Sequence, residues 1–125
     1  MIRLSVYNRT RNVALGSEIE PAQGAWARMK GLIGRSQQEF TPGKGLWIVS
    51  SQGIHTIGMA FPIDAVYLDA RGRITRLYHS LTPGRVAALN WKTRSVLELP
   101  AGTLEKTGTQ VGDVLEFLPN EEGKE

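Results

Sequence analysis

Ile2, Leu4 and Val6 alternate with Arg3, Ser5 and Tyr7, a period of two that predicts a strand with one apolar and one polar face. A shorter extended run over 12–15 follows a turn at 8–11 and stops at Gly16, so the first two elements are expected to pair as a hairpin. The period then changes. Pro21 suits the first turn of a helix, and Trp26, Met29, Leu32 and Ile33 recur at helical spacing up to Gly34. Arg28, Lys30 and Arg35 lie toward the end of that segment, where the helix dipole favours cations. From Gly43 onward the pattern is again that of strands. The spacing predicts extended segments over 45–50, 65–69, 73–79, 95–99 and 114–118. The middle pair flanks Ala70-Arg71-Gly72, a hairpin with glycine at the tight position. Thr82-Pro83-Gly84 and Pro100-Ala101-Gly102 read as loops.

About seven short strands with one α-helix inserted early predict a mainly β fold, either a jelly-roll-like sandwich or a partly open barrel. A parallel α/β sheet is disfavoured because the helices that its crossovers need are missing. A chain of 125 residues is expected to form a single β-rich domain over 1–118, with 119–125 a flexible C-terminal tail.

Composition narrows the chemistry. With no cysteine, the sequence offers no disulfide, no thiolate nucleophile and no cysteine-based metal site. The 14 glycines are more than the ~7% usual in globular chains and call for many tight turns. No apolar run approaches the ~20 residues of a membrane span, and the start lacks a signal-peptide core. A cytoplasmic protein without a membrane partner is expected, or an exported one where a leader has been removed.

The net charge of +3 conceals a partition. Residues 70–97 carry six cations, Arg71, Arg73, Arg76, Arg85, Lys92 and Arg94, and no acid, whereas the segment after them is predominantly acidic. With Tyr78, His79 and Trp91 interleaved, the block is a candidate anion or nucleic-acid face, carried by Arg73, Arg76, Arg85, Trp91, Lys92 and Arg94. The simpler reading, favoured here, is a solvated face that pairs with the acidic C-terminal segment. Nucleic acid is therefore not the expected partner. Trp91, in a polar loop, is expected to be exposed, and Trp26, at helical spacing, to be core.

Five runs of sequence, taken in order, carry a family resemblance. They are Gly31-Leu32-Ile33-Gly34-Arg35, His55-Thr56-Ile57-Gly58-Met59 with Phe61-Pro62-Ile63-Asp64, Tyr67-Leu68-Asp69, Val96 to Gly102, and Gly112-Asp113. Together they resemble the family called domain of unknown function 192 over about residues 28–118. The resemblance implies a compact, mainly β, jelly-roll-like domain of bacteria, archaea and some plants, and no established activity. Many members carry aromatic, Met and Lys/Asn residues where His55 and Thr56 stand here, so the resemblance does not imply a shared catalytic role for His55.

The residues themselves offer one constellation. His55 titrates near neutrality, and a carboxylate such as Asp64 or Glu98 could orient it or act as the acid. Asp64 follows Pro62-Ile63 at a strand entry and equally suits accepting backbone N–H groups of a turn. Glu98 sits opposite in direction to Leu97 and Leu99 along its strand, hence exposed if one face is buried and an inward carboxylate if both are. His55 and Thr56 lie between Gly53 and Gly58, in a broken segment suited to lining a cleft, with Met59 and Phe61 as apolar walls. Two histidines without H-x-H or H-E-x-x-H spacing argue against a metal site. The leading reading is a non-catalytic module whose cleft, lined by His55, Thr56, Met59, Asp64 and Glu98, takes a small polar ligand or a peptide. The rival is a small hydrolase or isomerase using His55, Asp64 and Glu98. No cofactor is expected, and the chain is read as a monomer or weak dimer.

Overall fold

The computed structural model describes residues 2–22 and 32–120. Seven strands form one curled sheet: β1 (Leu4–Asn8), β2 (Val13–Ala22), β3 (Lys44–Ile48), β4 (Ile63–Leu68), β5 (Ile74–Leu81), β6 (Ser95–Pro100) and β7 (Leu115–Pro119). Their order across the sheet is β5-β4-β6-β3-β2-β1-β7, and every pair is antiparallel except β2–β3. The two edge strands approach at one end through the isolated Arg73–Val114 bridge. Leu115 N–H donates to Gly72 O at 2.8 Å and Ile74 N–H to Asp113 O at 2.8 Å. The fold is thus a half-closed barrel made from one sheet, the second of the two β architectures expected from the strand count.

Two departures from the pattern reading concern the ends of elements. β2 does not stop at Gly16 but continues to Ala22, and Pro21 pairs with Trp47 instead of opening a helix. The parallel β2–β3 pair accounts for this: a polar-apolar alternation broken by Gly16 still buries Leu15 and Ile19 on one side. Of the remainder of the expected helix, 23–31 with Trp26 and Met29 lies outside the described residues, and 32–34 form a turn closed by Arg35 N–H donating to Leu32 O at 3.2 Å. A short helix, α1 (Thr103–Thr107), stands where a loop was expected. Its Leu104 is fully buried and fills one end of the barrel.

The barrel interior is a cluster that includes Val6, Leu15, Ile19, Val66, Leu68, Leu97, Leu99, Leu104 and Leu115. β4 and β6 are buried at every position, because their outer faces are covered as well. Leu32, Phe40, Met59 and Phe61 pack on Leu46, Ile48 and Ile63, and Ala87 packs on Tyr67 and Val96. The loops 49–62 and 82–94 thus form an outer layer on the sheet. Gly72 is the turn position expected from sequence: its φ is +79°, and a Cβ there would lie 2.7 Å from the Leu115 carbonyl oxygen. Positive φ and the tight approach of β7 both demand glycine. At the far end, Asn120 N–H donates to Arg3 O at 2.9 Å.

Candidate binding cleft and its surroundings

Cross-strand partners share a face of a sheet. Asp64 is paired with Leu99 and Ala65 with Glu98, so Asp64 faces the barrel interior and Glu98 faces the outer layer. The sheet separates the two carboxyls. His55 lies in the outer layer, exposed and bridged to Val86. Among the described residues no hydrogen bond links His55 to either carboxyl. The three groups suggested for acid–base chemistry are therefore not assembled, because adjacent positions on β4 and β6 point in opposite directions.

Each of these residues has its own local explanation. Asp64 is fully buried, and its oxygens accept the backbone N–H of Ser80 at 2.8 Å, Gly102 at 3.1 Å and Leu104 at 2.9 Å. It holds the bulged end of β5, where Ser80 has φ +50°, to the first turn of α1. Thr56 is also buried. Its hydroxyl donates to Thr82 O at 2.6 Å and accepts from Arg85 N–H at 2.9 Å, while its own N–H donates to Arg85 O at 2.7 Å. It staples loop 82–87 to loop 54–59. Met59 is a core residue of the outer layer.

Glu98 is only 3% exposed, and its Oε1 has no hydrogen-bond partner among the described residues. Burial pushes its carboxyl up to about 8, against the opposing pull of the Arg35 guanidinium. It is protonated at neutral pH. The inward alternative weighed for Glu98 is the one found, since the outer layer buries both faces of β6.

The motif blocks do meet, but at other residues. Ile63 pairs with Pro100, which sets Phe61 and Pro62 beside Pro100 and Ala101 as walls of a cavity of about 190 Å³ that Phe40 and Pro42 complete. A second cavity of about 480 Å³ shares Pro42, Pro100 and Ala101 with the first and extends past Gly16 and Gly43 to Thr103 and Lys106. The two adjoin at the Pro100-Ala101-Gly102 corner and together make the candidate cleft. His55, Thr56, Met59, Asp64 and Glu98 are not among its walls.

Among the described residues, none of the six cations of 71–94 forms an ion pair with the acidic C-terminal segment. Among the described residues, Asp113 and Glu116 instead pair with Arg11 and Arg9. The other two ion pairs join Glu20 to Arg3 and Arg35. Arg73 donates to Gly112 O at 3.0 Å, Arg85 Nε donates to Thr82 Oγ1 at 3.2 Å, Arg76 sits over Tyr78, and Lys92 over Trp91. Arg71 and Arg94 line a cavity at the β4–β5 turn, whereas Arg85 and Lys92 belong to the outer layer. The cations of the basic block lie along β5 and its flanking loops.

The family model for DUF192, described as an uncharacterized ACR, matches residues 6–117. The chain belongs to the DUF192 family. Two solved structures share the fold of this DUF192 chain. One is a protein of unknown function from Novosphingobium aromaticivorans DSM 12444, 19% identical with a TM-score of 0.77, the match covering 92% of this chain and 84% of that one. The other is described as a candidate transcription regulator from Sinorhizobium meliloti 1021, 24% identical with a TM-score of 0.74, covering 93% and 92%. No curated protein matches the chain.

Among the described residues of this DUF192 domain there is no group of three or more potential metal ligands and no helix long and apolar enough to cross a membrane. What the cleft supplies is apolar surface from Phe61, Pro42, Pro62 and Pro100, with one ammonium, Lys106, at its rim. Sequence reasoning found the two motif blocks and missed Pro42 and Lys106, which reach the cleft only through the β2–β3 crossover and α1. The exposed apolar residues Ile57, Val86 and Leu89 were also missed. For Val86 and Leu89 the signal was present: large aliphatic side chains between the turn markers Pro83-Gly84 and Asn90 have no periodicity to bury them.

Proposed function

We propose that this DUF192 domain acts by binding, and that its ligand lies in the cleft at the Pro100-Ala101-Gly102 corner. The observation that carries this reading is that the two sequence blocks of the family, Phe61-Pro62 and Pro100-Ala101, wall one cavity that shares Pro42, Pro100 and Ala101 with a second of about 480 Å³, within the range of small-ligand sites. Proline and phenylalanine walls favour an apolar, pre-ordered guest. Lys106 forms no ion pair among the described residues and favours a carboxylate at one end. A short peptide or small molecule with an apolar body and one acid group meets both demands. The hydrolase alternative draws no support from the geometry, since Asp64 and Glu98 face opposite sides of the sheet.

A library of short apolar peptides ending in a carboxylate, titrated against the labelled domain, tests this. Amide shifts are expected at Gly16, Phe61, Ala101, Gly102 and Thr103, and Ala101→Trp, at an exposed position, should abolish them by filling the cleft. Shifts centred on His55, or binding that Ala101→Trp leaves intact, would place the ligand elsewhere.

A further inference from the structure

Residues 52–59 and 82–91 are held side by side by backbone bonds. Thr56 N–H donates to Arg85 O, Ala87 N–H to Ile54 O and Asn90 N–H to Gln52 O. Over 54–57 exposure alternates, Ile54 and Thr56 turning inward and His55 and Ile57 outward, while on the other segment Ala87 is buried and Val86 exposed. The bridge between His55 and Val86 places their side chains on one face. Among the large apolar side chains of these two segments, Ile57 is 53%, Val86 74%, Leu89 80% and Trp91 76% exposed. Leu89 lies beside Gly53, where a Cβ would come 2.8 Å from its Cδ2, and Gln52 Nε2 donates to Trp91 O at 3.4 Å, so Leu89 and Trp91 adjoin the same segment that carries Ile57. Four large apolar side chains this exposed on two adjoining segments are unusual for a surface with no partner.

Two further features define what the patch can meet. Arg85 and Lys92 flank it, both exposed and neither in an ion pair among the described residues, and no acidic residue occurs from 70 to 97. The face presents these side chains on surface loops. We infer that this face adsorbs to an anionic lipid bilayer, with Leu89, Trp91, Val86 and Ile57 entering the headgroup boundary and Arg85 and Lys92 meeting lipid phosphates. A bilayer is flat, apolar beneath and negative at its surface, which matches aliphatic tips, an amphipathic indole and two exposed cations. Nucleic acid would match the cations and Trp91 but leave three aliphatic side chains without an apolar counterpart. Adsorption requires no membrane-spanning segment.

Co-flotation of the full chain with phosphatidylcholine vesicles, with and without about one third phosphatidylserine, tests the inference. The chain is expected to float with the anionic vesicles only and to be released by high salt. The Leu89→Ser/Trp91→Ser and Arg85→Glu/Lys92→Glu variants, altered only at exposed positions, should each lose roughly tenfold or more in partitioning while keeping the wild-type thermal midpoint. Failure of the wild type to float with the anionic vesicles, or unchanged partitioning of the variants, overturns it. So does a dimer that Leu89→Ser/Trp91→Ser dissociates, or binding to a mixed single-stranded oligonucleotide where the anionic vesicles give none.

Discussion

Asp64 shows how a single side chain can look catalytic in sequence and be architectural in space. Its carboxylate accepts three backbone amides from two different elements, and charge-assisted bonds of this kind are the stronger ones. Asp64→Asn keeps the shape but turns one acceptor into a donor facing amide N–H groups. The substitution is expected to cost about 2–4 kcal/mol of folding stability, read as a lower urea midpoint. A midpoint unchanged within about 0.5 kcal/mol would show that the three bonds are not what keeps an acid at this position. The preceding Pro62-Ile63 did signal a turn-bonding aspartate. What no sequence pattern carried was the identity of the partners, since Gly102 and Leu104 lie nearly forty residues away and meet Asp64 only through the β4–β6 register.

At the scale of elements, strands were legible where the period was clean and burial one-sided, as in β1, or where a turn residue was obligatory, as at Gly72. The extension of β2 through Pro21 was not, because a proline can end a strand, edge a strand or open a helix, and only pairing with Trp47 decides among them. Helix α1 was hidden for a related reason: five residues give too little periodicity to register, and Asp64, from a distant strand, supplies the acceptor for its first amides. The same dependence on distant partners governs the outer layer. Thr56 is its staple, so Thr56→Val, which keeps volume but removes the hydroxyl, leaves Thr82 O and Arg85 N–H without their side-chain partner. Amides of Gly84, Arg85 and Ala87 should then exchange roughly ten to a hundred times faster, for a loss of about 1–3 kcal/mol. Amides of Val66 and Leu97 in the core should not change. Equal acceleration of both sets would mean that the layer opens only by global unfolding.

For the whole molecule, two carboxyls of opposite tendency set the pH at which the fold is most stable. Asp113 is buried, which by itself raises its carboxyl, but hydrogen bonds from Asn8, the Gln110 amide and Arg11 outweigh that and hold it below the ordinary value. Its contribution is present above the unfolded value near 3.8 and lost as pH falls through the lower folded one. Glu98 runs the other way. Unfolded, it ionises near 4.5; folded, it holds its proton to about 8, so its contribution is complete below 4.5 and is lost as pH rises to 8. Between those limits the folded chain carries about one more proton at this site than the unfolded chain, and stability falls with pH by a few kcal/mol at most. The two effects cross in mildly acid solution, so the urea midpoint should peak near pH 4–5, below the usual optimum for proteins. Glu98→Gln removes the titrating group and should flatten the curve between pH 5 and 8, and Asp113→Asn should flatten only the acid limb. A wild-type midpoint constant from pH 5 to 8, or one that Glu98→Gln leaves sloping, would mean that the carboxyl gains a partner or water in solution and that the outer layer does not seal the sheet.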